Sequence, residues 1–293
     1  MPRKNVFYND KMKKFFLLIA ACAMLCTAVS CGDDDEPKRG DGKFTVNTAM
    51  INHMVNTSNG QVLGLTSTHN KLTFDTVSRI ASLELHYLDG ATEKTLKLDN
   101  IKANRKREGF YELSVSDLNF NGYIDLKQLL MRYVYRTTEG ILVTSTMPEI
   151  PFLKTESIIT YDDTTKSNKS ESTMYQFTIK PESQTVTIEV MDIVHAKDLK
   201  QFNNITANSV PLTVTPNGFT IAANNLPTTA HYVSYDYNTG SSDATTDKYP
   251  FKIFNATISL SAYQLEDRLE ADYMIGSSAT VAATGRTYPD FNY

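Results

Sequence analysis

Short alternations of apolar and polar residues run along most of the chain after residue 44. Residues 83–88, 111–115 and 186–190 place apolar side chains at every second position, which is the period of a half-buried β-strand. Segments rich in Asn, Ser, Thr, Asp and Gly separate these runs, and Asp89-Gly90 and Asn217-Gly218 are typical of tight hairpin turns. The pattern predicts an all-β protein built from antiparallel strands.

Helical spacing is rare in the same region. Residues 126–135 and 192–202 are compatible with short helices, and residues 265–274 fit either a helix or a strand. We therefore expect at most a few short helices beside the sheets.

The chain also resembles itself. Residues 100–104 (NIKAN) recur as residues 204–208 (NITAN), and a Gly-Phe pair follows each copy. This recurrence indicates two related antiparallel β units, residues 44–156 and residues 173–293. A polar linker is expected at residues 157–172, where Asp, Thr, Lys and Ser accumulate. The two units would be tandem sandwiches or would close together into one barrel, and chance similarity between two β meanders is the alternative.

The first thirty residues follow a different pattern. Lys13 and Lys14 precede a largely apolar run at residues 15–29, and small residues stand before Cys31. The run is shorter than the roughly 20 residues that a membrane-spanning helix needs. This layout predicts a secretory signal peptide at residues 1–30. Residues 1–11 do not fit a leader, so either Met1 or Met12 is the native start.

The end of the leader carries a family resemblance. Residues 28–31 (AVSC) resemble the lipobox of bacterial lipoproteins, in which the signal is cut before the cysteine and the thiol is acylated. Residues 32–36 (GDDDE) resemble the acidic export signal of Bacteroidota surface lipoproteins, within a charged, flexible tether at residues 31–43. The resemblance implies lipid attachment at Cys31 and a lipid-anchored location on the outer membrane, facing the cell exterior. Some proteins of this group have calycin-like barrels that enclose a ligand, and others are fimbrillin-like pilus subunits.

Composition and motifs exclude several classes of function. Cys22 and Cys26 leave with the leader, so the mature chain has no cysteine pair for a disulfide and no free thiol. Loss of five basic residues and one acidic residue with the leader changes the formal net charge from −4 to −8, which argues against a nucleic-acid partner. No hydrolase, metalloprotease or nucleotide-binding motif is present, and the histidines lack metal-ligand spacing. We predict no catalytic activity and no cofactor.

Two local patterns carry possible ligand chemistry. Asp117, Asn119, Asn121 and Asp125 place oxygen atoms at the spacing of a calcium loop, although Gln128 stands where that loop needs a carboxylate. An ordinary Asn-Gly turn is the alternative, and we predict no metal site. A basic cluster is expected on a hairpin tip, either as a solvated loop or as a site for an anion or partner. Its members are Lys102, Arg105, Lys106 and Arg107.

These observations favour a cell-surface lipoprotein that is not an enzyme and that binds a small ligand, lipid or glycan. The ligand would lie in a barrel mouth or between the two halves. The alternative is a structural or adhesive fimbrillin-like subunit, which would polymerise by strand addition. The sequence identifies no ligand-binding residue, no ligand and no protein partner beyond the membrane that the lipid enters.

Overall fold

The computed structural model consists almost entirely of β-strands. The described residues form twenty-one strands and one 3₁₀ turn, Pro181–Ser183, which confirms the all-β prediction. Within this part of the chain, no helix is long and apolar enough to cross a membrane. The structure describes residues 42–89, 91–115, 120–126, 130–161, 167–195, 200–236, 241–247, 250–261, 266–275 and 279–287.

The first eight strands close into an antiparallel barrel in chain order. Strand β1 pairs with β2 along nearly its whole length and with β8 through residues 51–56 only. Closure is therefore made by the C-terminal half of β1. The strands are β1 (Lys43–Asn56), β2 (Val62–Asp75), β3 (Ile80–Asp89), β4 (Thr92–Arg107), β5 (Phe110–Val115), β6 (Phe120–Asp125), β7 (Leu130–Arg136) and β8 (Ile141–Thr146).

Side-chain alternation fills the barrel interior. On β7, for example, Met131, Tyr133 and Tyr135 belong to the barrel core, whereas Arg132 lies on the outer side, where it bonds to the second unit. Among the described residues, nineteen buried apolar side chains make up this core. Burying a side chain of this kind contributes about 1.5 to 3 kcal/mol, so the interior is a packed core along most of its length.

The remaining strands form two sheets that share a second core. The six-stranded sheet has the order β18-β17-β14-β13-β12-β9, and the seven-stranded sheet has the order β11-β10-β21-β20-β19-β16-β15. Phe177 and Ile188 of the first sheet and Phe254 and Leu269 of the second belong to one apolar cluster. The strands are β9 (Glu149–Phe152), β10 (Lys154–Tyr161), β11 (Ser167–Ser170), β12 (Met174–Lys180), β13 (Thr185–His195), β14 (Lys200–Pro211), β15 (Thr213–Thr215), β16 (Gly218–Leu226), β17 (Thr229–Asp236), β18 (Ser241–Asp247), β19 (Phe251–Ser259), β20 (Arg268–Ile275) and β21 (Ala279–Arg286).

The division of the chain differs from the predicted one. The barrel ends at Thr146, and β9 and β10 already belong to the two-sheet unit, so the first unit does not extend to residue 156. The prediction of a polar linker at residues 157–172 is wrong, because β10 pairs with β11 and β21. On β10 the exposed residues Glu156 and Ile158 alternate with buried Thr155, Ser157 and Ile159, which is the pattern of a strand with one covered face.

The predictions of short helices at residues 126–135 and 192–202 are also wrong where the structure describes these residues, since residues 130–136, 185–195 and 200–211 are strands. Of the two alternatives left open for residues 265–274, the structure has the strand, at residues 268–275. On β7 the misleading pattern has a physical cause. Both faces of this strand are buried, one inside the barrel and the other, at Arg132 and Val134, on its outer wall. The apolar residues therefore run consecutively instead of alternating. Hairpins are present where the Asp-Gly and Asn-Gly pairs predicted them, because β3 pairs with β4 as far as Asp89 and Thr92, and β15 pairs with β16 as far as Thr215 and Gly218. Asp89 and Gly218 are themselves strand residues, so the turns are displaced by one residue from the predicted positions.

The repeated motif occupies comparable strands in the two units. Residues 100–104 lie on β4, after the β3 hairpin, and residues 204–208 lie on β14, after β13. The following strands differ, because β5 pairs with β4 whereas β16 lies in the other sheet from β14. The duplication itself therefore stays a prediction.

Candidate functional site

The barrel wall opens between β2 and β3. Their ladder ends at the pair Lys71 and Glu84, yet residues 62–70 of β2 and residues 85–89 of β3 continue beyond it. We call this opening, between residues 62–70 and 85–89, the barrel mouth. Two strands that separate leave backbone donors and acceptors that must find other partners.

Two buried asparagines bind the backbone of His86 just beyond the end of the ladder. Asn52 Nδ2 donates to the carbonyl oxygen of His86 at 2.8 Å, and the N–H of His86 donates to Asn70 Oδ1 at 3.3 Å. Both asparagine side chains are almost fully buried. An unpaired buried polar group costs about 1 to 3 kcal/mol. The two amides therefore replace missing strand pairs and stabilise the wall at its opening.

The asparagines belong to an uncharged group, buried except for the partly exposed Thr68, that we call the mouth cluster: Asn52, Thr68, Asn70, Tyr133 and Ser145. Ser145 Oγ donates to Asn52 Oδ1 at 2.6 Å, and Asn52 Nδ2 also approaches Thr68 Oγ1 at 3.2 Å. Asn70 bonds to the Tyr133 hydroxyl. Burial raises the pKa of Tyr133 well above its ordinary value, so the phenol stays protonated at neutral pH. The mouth cluster thus offers amides and hydroxyls without a charge.

Thr66 lies next to the mouth cluster, because it is the strand partner of Asn52. Its Oγ1 atom is buried and makes no hydrogen bond within the described part of the protein. Gly64 and Thr68, which share the inward direction of Thr66 on β2, are partly exposed, so solvent reaches the interior at this end of the strand. A Cβ at Gly64 would lie 4.0 Å from Met54 Cε, which shows that this glycine borders the apolar core. A polar hydroxyl and an apolar wall therefore meet at the mouth.

An ion pair links Lys94, near the start of β4, to the turn between β7 and β8. Lys94 Nζ lies 3.9 Å from Glu139 Oε1, and both side chains are exposed. Hydrogen bonds from its own backbone N–H and from the Thr137 and Thr138 hydroxyls hold the pKa of Glu139 below its ordinary range. An exposed pair of this kind adds little stability.

The two units are joined by a buried ion pair. Arg132 on the outer wall of the barrel contacts Asp267 of the second unit, with Nη2 2.7 Å from Oδ1 and Nε 3.2 Å from Oδ2. Arg132 Nη2 also donates to the carbonyl oxygen of Ser261 at 2.6 Å. Burial raises the pKa of Asp267, and the guanidinium of Arg132 opposes this shift. The paired charges serve to hold the units together.

A crevice lies beside this ion pair, at the junction of the two units. Tyr123, Glu149, Pro151 and Asp267 are among the residues that line it. Its volume is about 10 Å³, which is room for about one water molecule. This crevice therefore cannot hold the ligand that was expected between the halves.

A buried histidine forms a second contact between the units. His53 Nε2 lies 2.7 Å from the carbonyl oxygen of Thr215, and its ring stands edge-on to Phe219, with 5.7 Å between the ring centroids. Burial lowers the pKa of His53, so the neutral ring is the folded form and donates its Nε2–H to Thr215. Ile51, two residues earlier on the same strand face, joins the core of the second unit.

Two carboxylates lie near each other on the six-stranded sheet. Gln176 Nε2 approaches Glu149 at 3.5 Å, and Asn204 Nδ2 donates to Glu189 at 3.2 Å. Partial burial and the neighbouring charge of Glu189 raise the pKa of Glu149. Each carboxylate is held by an amide of an adjacent strand, which is an ordinary way to place a charge on a sheet face.

The calcium candidate is not supported where the structure describes it. Asn121 and Asp125 lie on β6, which pairs with both β5 and β7, so Asn121 and Gly122 are not in a turn either. Four residues of strand separate them by about 13 Å, too far for one ion. Asp125 Oδ2 instead lies 2.8 Å from Arg107 Nη2. Within the described residues, no group of three or more His, Cys, Asp or Glu could hold a metal ion. Asp117, Asn119 and Cys31 lie outside them.

The mouth cluster was missed at the sequence level, although a signal existed. Asn52 stands between Met50 and Met54 at inward positions of β1, and Asn70 precedes Leu72 and Phe74 on β2. A polar residue at an inward position of an otherwise apolar alternation indicates either a hydrogen-bonded partner or a site.

Replacing Arg132 with Met should lower the free energy of unfolding by about 3 to 5 kcal/mol, because Asp267 would remain buried without its partner. The double variant R132M/D267L should recover most of this loss, since it removes both charges. Urea unfolding of the wild type, both single variants and the double variant measures the cycle. Additive losses in the double variant would show that the pair does not act as a unit.

His53 should make the protein less stable as the pH falls below the ordinary histidine value of 6.5. Its folded pKa is lowered, so the unfolded chain binds a proton that the folded one does not, and stability is lost with falling pH. Denaturant midpoints at pH 7.5 and 5.5 measure this dependence. H53Q keeps a donor for Thr215 and should reduce the pH dependence, whereas the exposed-site control H69Q should not. Equal pH dependence in all three proteins would contradict the assignment.

Comparison with known proteins does not assign a function to the barrel mouth. No protein-family model matches the chain, and no curated protein is significantly similar to it in sequence.

Proposed function

We propose that this protein is an outer-membrane lipoprotein, facing the cell exterior and anchored by lipid on Cys31, whose barrel binds a small ligand at its mouth without catalysing a reaction. The observation that carries the binding part is the buried Thr66 hydroxyl beside the mouth cluster, at an opening in the barrel wall. The resemblance of residues 28–36 to a lipobox and an export signal supports the location.

The mouth suggests the chemistry of the ligand. Amides and hydroxyls of Asn52, Thr68, Asn70 and Ser145 surround the site, and none of them ionises near neutral pH. A charged ligand group would lose its hydration there without gaining a counter-ion. Met54, Ile141 and Val143 of the barrel core lie on the adjoining strands β1 and β8. A neutral, hydroxyl-bearing group attached to an apolar part, as in a glycan or an uncharged lipid, fits this combination best.

The absence of catalysis is proposed from the same chemistry. A general acid or base needs a pKa near the working pH. The titratable member of the mouth cluster, Tyr133, has its pKa raised away from neutrality by burial. The cluster can therefore orient a ligand by hydrogen bonds, but it lacks a group that would exchange a proton with the ligand at neutral pH.

The fimbrillin-like alternative stays a prediction. Strand addition needs an unpaired groove or a terminal strand that can detach. The last strand of the described chain, β21, is paired with β10 on one side and β20 on the other. Its exchange would break two ladders, so this strand does not favour polymerisation.

Protein isolated from the membranes of its own cells should carry a non-covalent adduct in native mass spectrometry, and the adduct should disappear on denaturation. T66V should reduce its occupancy about fivefold, the effect of losing one hydrogen bond of about 1 kcal/mol. The same substitution should leave the free energy of unfolding of the empty protein unchanged or raise it slightly, because the hydroxyl has no partner there. The matched control is T257V, on an exposed strand position. A bare chain, or equal occupancy in T66V and wild type, would contradict the proposal.

The lipid anchor has its own test. Intact mass and N-terminal peptide analysis should show a mature chain that begins at Cys31 with acyl chains attached. C31A should lack the added mass and should be released from the membrane fraction by a salt wash that leaves the wild type bound, because the acyl chains are the proposed stable anchor. A membrane-bound wild-type chain that retains residues 12–30, or an unmodified Cys31, would overturn this part of the proposal alone.

A further inference from the structure

Exposed apolar and basic side chains lie together at the end of the barrel opposite the mouth. Val77, in the turn between β2 and β3, is 75% exposed, and Ile80 at the start of β3 is 44% exposed. Arg79 stands between them on the surface. Large apolar side chains this exposed usually mark an interaction surface only when several lie together.

Strand pairing extends this group across neighbouring strands. Lys43 pairs with Asp75, Asp75 with Ile80, and Ile80 with Lys102, so one row crosses β1 to β4. Arg105 follows Lys102 along β4 toward the same end of the barrel. We call this set the basal rim: Lys43, Val77, Arg79, Ile80, Lys102 and Arg105.

The basic cluster seen in the sequence separates into two kinds of residue here. Lys106 Nζ lies 3.0 Å from Glu112 Oε2, and Arg107 is bonded to Asp125, so these two cations are paired within the barrel. Lys102 and Arg105 make no ion pair with any described residue, and both are exposed. They are therefore free to bind an external anion.

The acidic residues at this end do not cancel the basal rim. Asp75 accepts hydrogen bonds from the side chain of Ser78 and from the backbone N–H groups of Ser78 at 3.1 Å and Val77 at 2.8 Å. These bonds and the nearby charge of Lys43 lower the pKa of Asp75, and the bonds engage its carboxylate. Glu108 lies in the neighbouring hairpin turn. The protein as a whole is acidic, with a formal net charge of −4 over the full chain. Arg79, Lys102 and Arg105, which make no ion pair with any described residue, are therefore a local concentration of positive charge that the overall composition does not explain.

The start of β1 lies at the same end of the barrel as the basal rim, because Lys43 is a member of this set. Cys31 precedes Lys43, the first residue of β1, by twelve positions. A chain of that length spans at most about 40 Å. A lipid on Cys31 would thus hold the membrane within reach of the end of the barrel at which β1 begins.

We propose that the basal rim contacts the membrane surface. Arg79, Lys102 and Arg105 bind phosphate groups of the lipids, while Val77 and Ile80 enter the headgroup layer. The contact orients the barrel so that its mouth points away from the membrane. The orientation rests on the lipid anchor proposed above, but the affinity of the basal rim for anionic lipid does not.

Binding to vesicles tests the contact separately from acylation. The probe is the secreted form that begins at residue 31 and carries C31S, mixed with phosphatidylcholine vesicles with or without phosphatidylglycerol. We expect sedimentation with the anionic vesicles, weakening as salt is added. The variant R79Q/K102Q/R105Q should bind about a hundredfold more weakly, since each of the three basic residues near an anionic surface contributes roughly a fivefold effect. V77S/I80S should weaken binding as well, because the apolar insertion is lost.

The control removes three exposed basic residues elsewhere, K97Q/K180Q/K252Q, and should bind like the C31S parent. Equal losses in the two triple variants would show a general charge effect and overturn the proposal. It would also fail if neutral vesicles bound as well as anionic ones. A further variant replaces the acidic residues 33–36 with Ser. If only this variant bound vesicles, the acidic tether and not lipid would occupy the basal rim, and the proposal would fail. The two proposals can fail separately. If R79Q/K102Q/R105Q binds vesicles weakly while Cys31 of the native protein proves to be unmodified, the membrane contact of the basal rim is supported and the lipid anchor is refuted.

Discussion

Closure of the barrel by β1 is the constraint on which the other features depend. The C-terminal half of β1 pairs with β2 on one side and with β8 on the other, which removes the sheet edges that β1 and β8 would otherwise expose. The same residues present Ile51 and His53 on the outer face, where they pack against the second unit. One segment therefore closes the first unit and contacts the core of the next.

Polar contacts determine how the two units are oriented. An apolar contact such as that of Ile51 tolerates sliding, whereas the bidentate contact of Arg132 with Asp267 and the hydrogen bond from His53 to Thr215 require particular atoms to meet. Desolvating these groups costs free energy that the contacts only partly return. Their value lies in selecting a single arrangement of two surfaces that are otherwise largely apolar.

The barrel is asymmetric along its axis. At one end the β2–β3 ladder stops, and Asn52 and Asn70 bind the released backbone of His86. At the other end the two strands are paired up to their turn, and cations and apolar side chains project outward. The proposed ligand site and the proposed membrane contact thus use opposite ends of one sheet, so that anchoring would leave the mouth accessible.

The sequence by itself determined the local features of this protein. The period of two predicted the strands, the Asp-Gly and Asn-Gly pairs predicted two hairpins, and the lipobox-like ending with its acidic run carried the hypothesis of a lipid anchor, because each of these signals lies within a few neighbouring residues. The division of the chain and the path of β10 were decided by strand pairing between distant segments. Arg132 and Asp267 are 135 positions apart, and neither signals the other in the sequence. The mouth cluster likewise forms only because barrel closure brings β1, β2, β7 and β8 around one interior. Pairing between strands this far apart in sequence is not determined by any local sequence pattern.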